Sequence, residues 1–190
     1  STSFCAWRAT GNVHGGGMPD TDFIEFPKIA RLSREVIITE KIDGTNACIL
    51  IGENGELLIG SRTKWLTPET GDNHGFMLWA LTHKDELMTL GAGRHFGEWW
   101  GSGIQRGYGL PKGEKRFSLF NVSRWDEAYR DKEKYPTPRP ACCHVVPTLY
   151  RGLFDTQVVN DVLRSLASVG SSESPGFMKP EGIVVFQTAG

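Results

Sequence analysis

Residues 36 to 59 narrow the fold more than any other stretch. Val36-Ile37-Ile38 is an apolar, strand-like run, and Thr39-Glu40-Lys41-Ile42-Asp43-Gly44-Thr45-Asn46 follows it with a glycine where the backbone must turn sharply. Asn46 to Ile51 and Leu57 to Ile59 then flank Glu53-Asn54-Gly55-Glu56, and an Asn-Gly pair between two apolar runs signals a hairpin. Lys41 stands at the end of the first strand, bracketed by Glu40 and Asp43. A lysine at a sheet edge is usually a solvated charge, but one seated at a sharp turn also suits a nucleophile. A free lysine has a pKa of about 10.4, so desolvation or cationic neighbours must lower it before the amine attacks near neutral pH. The flanking carboxylates oppose that shift, so a metal ion or other cations would have to outweigh them.

The rest of the chain reads as α+β. Residues 10 to 20, with Gly15-Gly16-Gly17 and Pro19, form a flexible loop in this reading, and His14 beside them is a loop histidine rather than a ligand. Phe76, Met77, Ala80, Leu81, Leu87 and Met88 predict a helix within 74 to 90, stopped by Gly91. Residues 94 to 101, 116 to 124 and 143 to 150 read as strands, the last two joined by the extended connector Tyr135-Pro136-Thr137-Pro138-Arg139-Pro140. Asp155 is the expected N-cap of a helix whose apolar face is Val159, Val162, Leu163 and Leu166, ended by Gly170. Residues 171 to 176 read as a loop, and Glu181 opens the last strand. Strands dominate, with two or three helices packed outside.

A chain of 190 residues is expected to form one domain with a real core. Its 39% hydrophobic and 23% charged content is that of a soluble globular protein. No apolar run reaches the roughly 18 residues of a membrane span, and Ser1-Thr2-Ser3-Phe4-Cys5 lacks signal-peptide character. Four cysteines without framework spacing point to reduced thiols and a cytoplasmic setting. Cys142-Cys143-His144 reads as a part-buried strand rather than a zinc site, because neighbouring strand residues point to opposite faces. The net charge of -1 lacks the basic excess usual in strong nucleic-acid binders, so any basic surface must be local. Phosphate contacts must then be local, at Arg62 with Lys64 or at Lys112, Lys115 and Arg116, whereas Arg130-Asp131-Lys132-Glu133-Lys134 is a solvated face of mixed sign. Weak electrostatics imply a transient grip on the substrate or a further binding module.

Lys41-Ile42-Asp43-Gly44 resembles the first motif of the covalent nucleotidyltransferases, the ATP-dependent ligases and mRNA capping enzymes. Their later motifs follow in order. Ser61-Arg62-Thr63-Lys64 is similar to the short basic motif after the first hairpin. Phe96-Gly97-Glu98-Trp99-Trp100-Gly101-Ser102-Gly103-Ile104-Gln105 is similar to the third motif as nick-sealing RNA ligases carry it. Phe117-Ser118-Leu119-Phe120-Asn121-Val122 stands in the place of the aromatic strand motif, and Glu181-Gly182-Ile183-Val184-Val185 in that of the fourth. Five matches between Thr39 and Val185 mark the resemblance to that superfamily, and Glu40 to Asn46 with the match through Gly101-Ser102-Gly103-Ile104-Gln105 makes the chain most similar to its ATP-dependent RNA ligases.

That resemblance implies an adenylation domain with a nucleotide cleft between two mostly antiparallel sheets, flanked by helices. It implies that Lys41 attacks the α-phosphorus of ATP and holds AMP covalently. AMP would then pass to an RNA 5′-phosphate, and a 3′-hydroxyl would displace it. Thr39, Glu40, Asn46, Arg62, Glu98 and Phe120 are the implied nucleotide contacts: Arg62 for a ribose hydroxyl or phosphate, Glu98 for ribose hydroxyls and Phe120 for stacking on adenine. Glu181 would orient Mg²⁺ or Mn²⁺, and Asn46 would help hold metal-bound water. Outside the motif context, Arg62 would be an exposed hairpin arginine, Phe120 a core ring, Glu181 a strand-end surface glutamate and Asn46 a turn residue.

Two departures stand out. The aromatic motif carries Phe120-Asn121 where those RNA ligases usually have Phe-Asp, and no Lys-x-Lys strand follows Glu181 within the 190 residues. The second departure is expected to reflect a truncation before that motif. A minimal ATP-dependent DNA ligase, or a degenerate domain that binds RNA ends or nucleotide without turnover, are the alternative readings. The sequence sets no oligomeric state.

Overall fold

The computed structural model describes residues 5–8 and 34–188. The loop read over residues 10 to 20, with His14, lies outside the described residues. Strands β1 (Cys5–Arg8), β2 (Glu35–Lys41), β8 (Thr148–Leu153) and β9 (Gly182–Gln187) make an antiparallel sheet in the order β1-β9-β2-β8. Strands β3 (Thr45–Ile51), β4 (Leu57–Ser61), β5 (Gly93–Gly101), β6 (Lys115–Leu119) and β7 (His144–Val145) make a second sheet in the order β4-β3-β5-β6-β7. Only its β6–β7 pair is parallel. Helices α1 (Phe76–Thr82), α2 (Lys84–Met88), α3 (Val122–Trp125) and α4 (Thr156–Val169) complete an α+β fold.

Three apolar clusters hold these layers together. On one face of the five-stranded sheet, Ile49, Trp99, Phe117 and Leu119 pack with Phe76, Ala80 and Leu87 of the helices. On one face of the four-stranded sheet, Val36, Ile38, Ile183 and Val185 pack against Val159 and Leu166 of α4. That helix has the caps its sequence predicts: the Asp155 carboxylate accepts from the Gln157 N–H at 2.7 Å, and Gly170 ends it at φ 91°. Ile37, Ile42, Trp100, Tyr108, Val122 and Val146 form the third cluster, where the two sheets meet.

Three elements differ from the sequence reading. The helix expected within 74 to 90 is two short helices broken at His83, whose φ of -104° and ψ of 20° leave the helical region. The strand expected over 116 to 124 stops at Leu119, because the Asn121 side chain accepts the Arg124 N–H and starts the one-turn helix α3. The strand expected over 143 to 150 is two strands in different sheets. Pro147 lies between them and has no N–H for a ladder. Val146 still bonds the five-stranded sheet through the Leu119 carbonyl, while the Pro147 carbonyl accepts the Glu40 N–H of the other sheet. Val146-Pro147 is therefore a crossing point that fixes the sheets together. Cys142 and Cys143 precede β7 in a turn, so of Cys142-Cys143-His144 only His144 belongs to a strand.

Candidate active site at the junction of the sheets

Lys41 ends β2 opposite Gly182, the first residue of β9. That register brings Glu181 alongside, with Lys41 Nζ 3.2 Å from Glu181 Oε1. Thr39, two residues earlier on the same face of β2, is buried between Thr148 and Val184. Glu40 points the other way. Its carboxylate accepts the Ser171 hydroxyl and the Ser172 N–H, each at 2.7 Å, and burial pushes its pKa up. Glu40 thus pins the loop after α4 to the strand that carries Lys41.

The turn from β2 to β3 is held from three directions. The Asp43 N–H donates to the Tyr108 hydroxyl at 2.9 Å, and the Gly44 N–H donates to Glu98 Oε1 at 3.1 Å. Asp43 Oδ2 lies 3.2 Å from Arg106 Nε, and Arg106 Nη1 donates to the Lys179 carbonyl at 2.9 Å. Gly44 is required by close approach: a Cβ there would stand 2.3 Å from the Trp99 carbonyl oxygen and 2.7 Å from Trp100 Cβ. Arg106 and Tyr108 hang from a loop that turns through left-handed backbone at Gly103, Gln105, Gly107, Tyr108 and Gly109. Gln105 (φ 47°) and Tyr108 (φ 53°) adopt that conformation without being glycine, a cost that surrounding contacts must offset. Sequence reading passed over both Arg106 and Tyr108. The glycines spaced around them were the available signal.

The five-stranded sheet supplies the opposing wall. Asn46, Glu98, Ser118 and His144 lie side by side across β3, β5, β6 and β7, on the face away from the helices. Glu98 is only 8% exposed, and its pKa is pushed up to about 8, first by burial and then by the charges of Glu181 and Asp43. Ser118 accepts the Trp100 indole N–H at 2.9 Å and donates to Glu173 Oε1 at 3.1 Å. Burial pushes the Glu173 pKa up to about 7, with the nearby Glu40 adding to the rise.

Lys41, Glu98 and Glu181 are therefore gathered at one point. Asn46 flanks Glu98, exposed, with its carbonyl accepting from Asn73 Nδ2 at 3.3 Å. Phe120 lies one row further out and is 38% exposed. Arg62 is exposed just past the end of β4, and no bond joins it to the other site residues among those described. The Asn121 side chain is occupied in capping α3, a task an aspartate would do equally well.

The donor set suits a hard divalent cation. Glu181, Asp43, Glu98 and Asn46 offer oxygen ligands of the kind such an ion prefers, and the charges of Glu181 and Asp43 add to the rise that burial causes in the Glu98 pKa. Among the described residues no three His, Cys, Asp or Glu could enclose an ion by themselves. Magnesium-like ions are commonly held by one or two carboxylates, with phosphate and water oxygens completing the shell.

A family model described as RNA ligase matches residues 34–189. No curated protein matches the chain. Among solved structures, a variant of the Naegleria gruberi RNA ligase with ATP and Mn aligns at TM-score 0.56 and 18% identity, covering 83% of this chain and 48% of that one. A second variant with AMP and Mn aligns at TM-score 0.57 and 20% identity, covering 83% and 47%. The same ligase with pyrophosphate aligns at TM-score 0.55 and 19% identity, covering 80% and 45%. The chain shares their fold and spans about half their length.

Proposed function

The chain belongs to the RNA ligase family, and from that premise we propose that it joins RNA ends through a lysyl-adenylate on Lys41. The observation that carries this reading is the Lys41–Glu181 pair at 3.2 Å, set against a turn whose Gly44 N–H is fixed on Glu98. The Lys41 amine stands where two sheets converge, among carboxylates suited to a ribose and a cation. That the Naegleria gruberi ligase was solved with ATP, AMP, pyrophosphate and Mn supports use of the same nucleotide and metal here.

In the first step Lys41 Nζ parts from Glu181, loses its proton to solvent and attacks the α-phosphorus of ATP. The P–N bond forms as the P–O bond to pyrophosphate breaks. AMP then passes to an RNA 5′-phosphate oxygen, regenerating the amine, and a 3′-hydroxyl attacks that activated phosphate to form the phosphodiester and release AMP. Each displacement at phosphorus depends mainly on alignment and charge neutralisation. Glu98 keeps Oε1 on Gly44 and turns its other oxygen to the ribose hydroxyls. Phe120 stacks on adenine, and Arg62 closes on a ribose hydroxyl or phosphate from the rim. Thr39 lines the wall beside Lys41, while Glu40 acts through the loop it holds. Glu181, with Asn46 reaching through water, would hold Mg²⁺ or Mn²⁺, whose charge offsets that on the α-phosphate. The free thiols of Cys48, Cys142 and Cys143 fit a cytoplasmic setting.

The test is sealing of a nicked RNA duplex with 5′-phosphate and 3′-hydroxyl ends, given ATP and Mn²⁺, beside the same nick in DNA. A joined RNA strand is expected. Preferential sealing of DNA would make the protein a minimal DNA ligase. Nucleotide bound without an adduct would make it a binding domain that has lost turnover.

A further inference from the structure

The face of the five-stranded sheet that carries Glu98 changes character one row further from Lys41. Gly60, Cys48 and Phe96 lie opposite one another across β4, β3 and β5. Phe120 continues the row, its N–H donating to the Phe96 carbonyl at 3.0 Å. Trp65 folds back over Gly60: their backbones bridge, and a Cβ on Gly60 would stand 3.1 Å from the indole. Arg94, two residues before Phe96 on the same face, holds its guanidinium 5.5 Å from the centre of the Trp65 ring.

Large rings are usually withdrawn from water. Here Phe96 is 55% exposed, and Trp65 and Phe120 are 38% exposed each. The same strand buries Trp99 and Trp100 almost completely, so β5 has a core to fill and still leaves Phe96 outside it. The exposed rings form a line with a cation above it, continuous with the proposed nucleotide site.

We propose that Trp65 and Phe96, with Arg94, form a base-stacking strip for the RNA end presented to Lys41, an assignment that rests on the RNA ligase reading. Neighbouring strands stand about 4.8 Å apart, so β4 to β6 spans roughly 14 Å, the reach of two or three splayed bases. Aromatic side chains on a sheet bind unstacked RNA bases this way, and a guanidinium adds stacking and phosphate attraction. The charge also favours RNA. Arg94 lies on the strip and the exposed Arg62 at its edge, whereas the chain as a whole carries a net charge of -1. Adenine on Phe120 would occupy the end of the row at β6, leaving Phe96 and Trp65 for the polynucleotide.

The test measures fluorescence anisotropy of a short 5′-phosphorylated RNA labelled at its 3′ end, for wild type, Phe96→Ala, Phe96→Tyr and Arg94→Ala. Intact-mass detection of AMP capture from ATP runs in parallel. Phe96→Ala should weaken RNA binding about tenfold or more, and Phe96→Tyr, which keeps the ring, should restore it. Arg94→Ala should weaken binding and lower the salt slope by about one. AMP capture should be unchanged in all three. Wild-type RNA affinity in Phe96→Ala would overturn the strip, as would unchanged RNA affinity with lost AMP capture, which would give the ring to adenine. If the wild type captures no AMP but Phe96→Ala still loses RNA affinity, the strip stands and the ligase reading falls.

Discussion

Glu98 and Ser118 in one row of the five-stranded sheet, and Phe96 and Phe120 in the next, face the same way and have opposite fates. In the row nearest Lys41, Glu98 and Ser118 are polar yet buried, each in a named hydrogen bond. In the next row out, Phe96 and Phe120 are apolar yet open. Residue type alone would reverse that order. What differs is the surroundings: the inner row lies beneath the β2–β3 turn and the loop after α4, and the outer row extends past both. The inner row and the loop after α4 that covers it accept the cost of burying acids, visible in the raised pKa values of Glu98 and Glu173. The outer row leaves hydrophobic surface in water.

The sharpest way to break this contrast is to lift the turn off the inner row. Gly44→Ala places a methyl group against the Trp99 carbonyl and Trp100 Cβ. It should destabilise the fold by about 2–3 kcal/mol, as overpacking does, and should abolish AMP capture. Thermal unfolding measures the first effect and intact mass the second. An unchanged Tm would mean that the turn is not pressed on the sheet.

Burial of the acid that the loop after α4 lays on the inner row also makes a pH prediction. Glu173 has a folded pKa near 7 against an ordinary 4.5, so its contribution to stability is fully present below 4.5 and lost as pH rises through 7. Glu173→Gln removes that loss. The variant should match wild type near pH 4 and exceed it near pH 8, by no more than roughly 3 kcal/mol. Denaturant unfolding at the two pH values decides it, and equal stability at pH 8 would mean that the wild-type carboxylate is not penalised.

Arg106 offers a smaller perturbation from the rim. Without its guanidinium, Asp43 loses the partner 3.2 Å away and the Lys179 strand entry loses its tie. Arg106→Ala should slow single-turnover AMP capture about tenfold, the scale of one charge-assisted hydrogen bond, and Arg106→Lys should recover part of it. A wild-type rate in Arg106→Ala would reduce the pair to a surface contact of little consequence.

Local signals carried much of the fold. The Asn54-Gly55 hairpin, the Asp155 cap, the Gly170 stop and the strand after Glu181 all formed where the sequence placed them. The misread elements depend on distant partners. Pro147 switches sheets because Leu119 and Glu40 wait on either side, and α3 replaces a strand because one asparagine caps it. Lys41, Glu98 and Glu181, which the motifs single out in the sequence, lie together in the structure. The direction Glu40 takes was not legible: its bonds reach across 131 residues to Ser171, and no feature of residues 39 to 46 shows which way it turns. Arg106, Tyr108 and Glu173 were missed for the same reason, each acting on residues more than fifty positions away.

Everything proposed for the chemistry depends on which amine captures the nucleotide. The direct measurement is peptide mapping by tandem mass spectrometry after incubation with ATP and Mn²⁺, for wild type and Lys41→Ala. AMP found on Lys41, with no adduct in Lys41→Ala, is the predicted result. AMP on another lysine, or an adduct that survives Lys41→Ala, would contradict it.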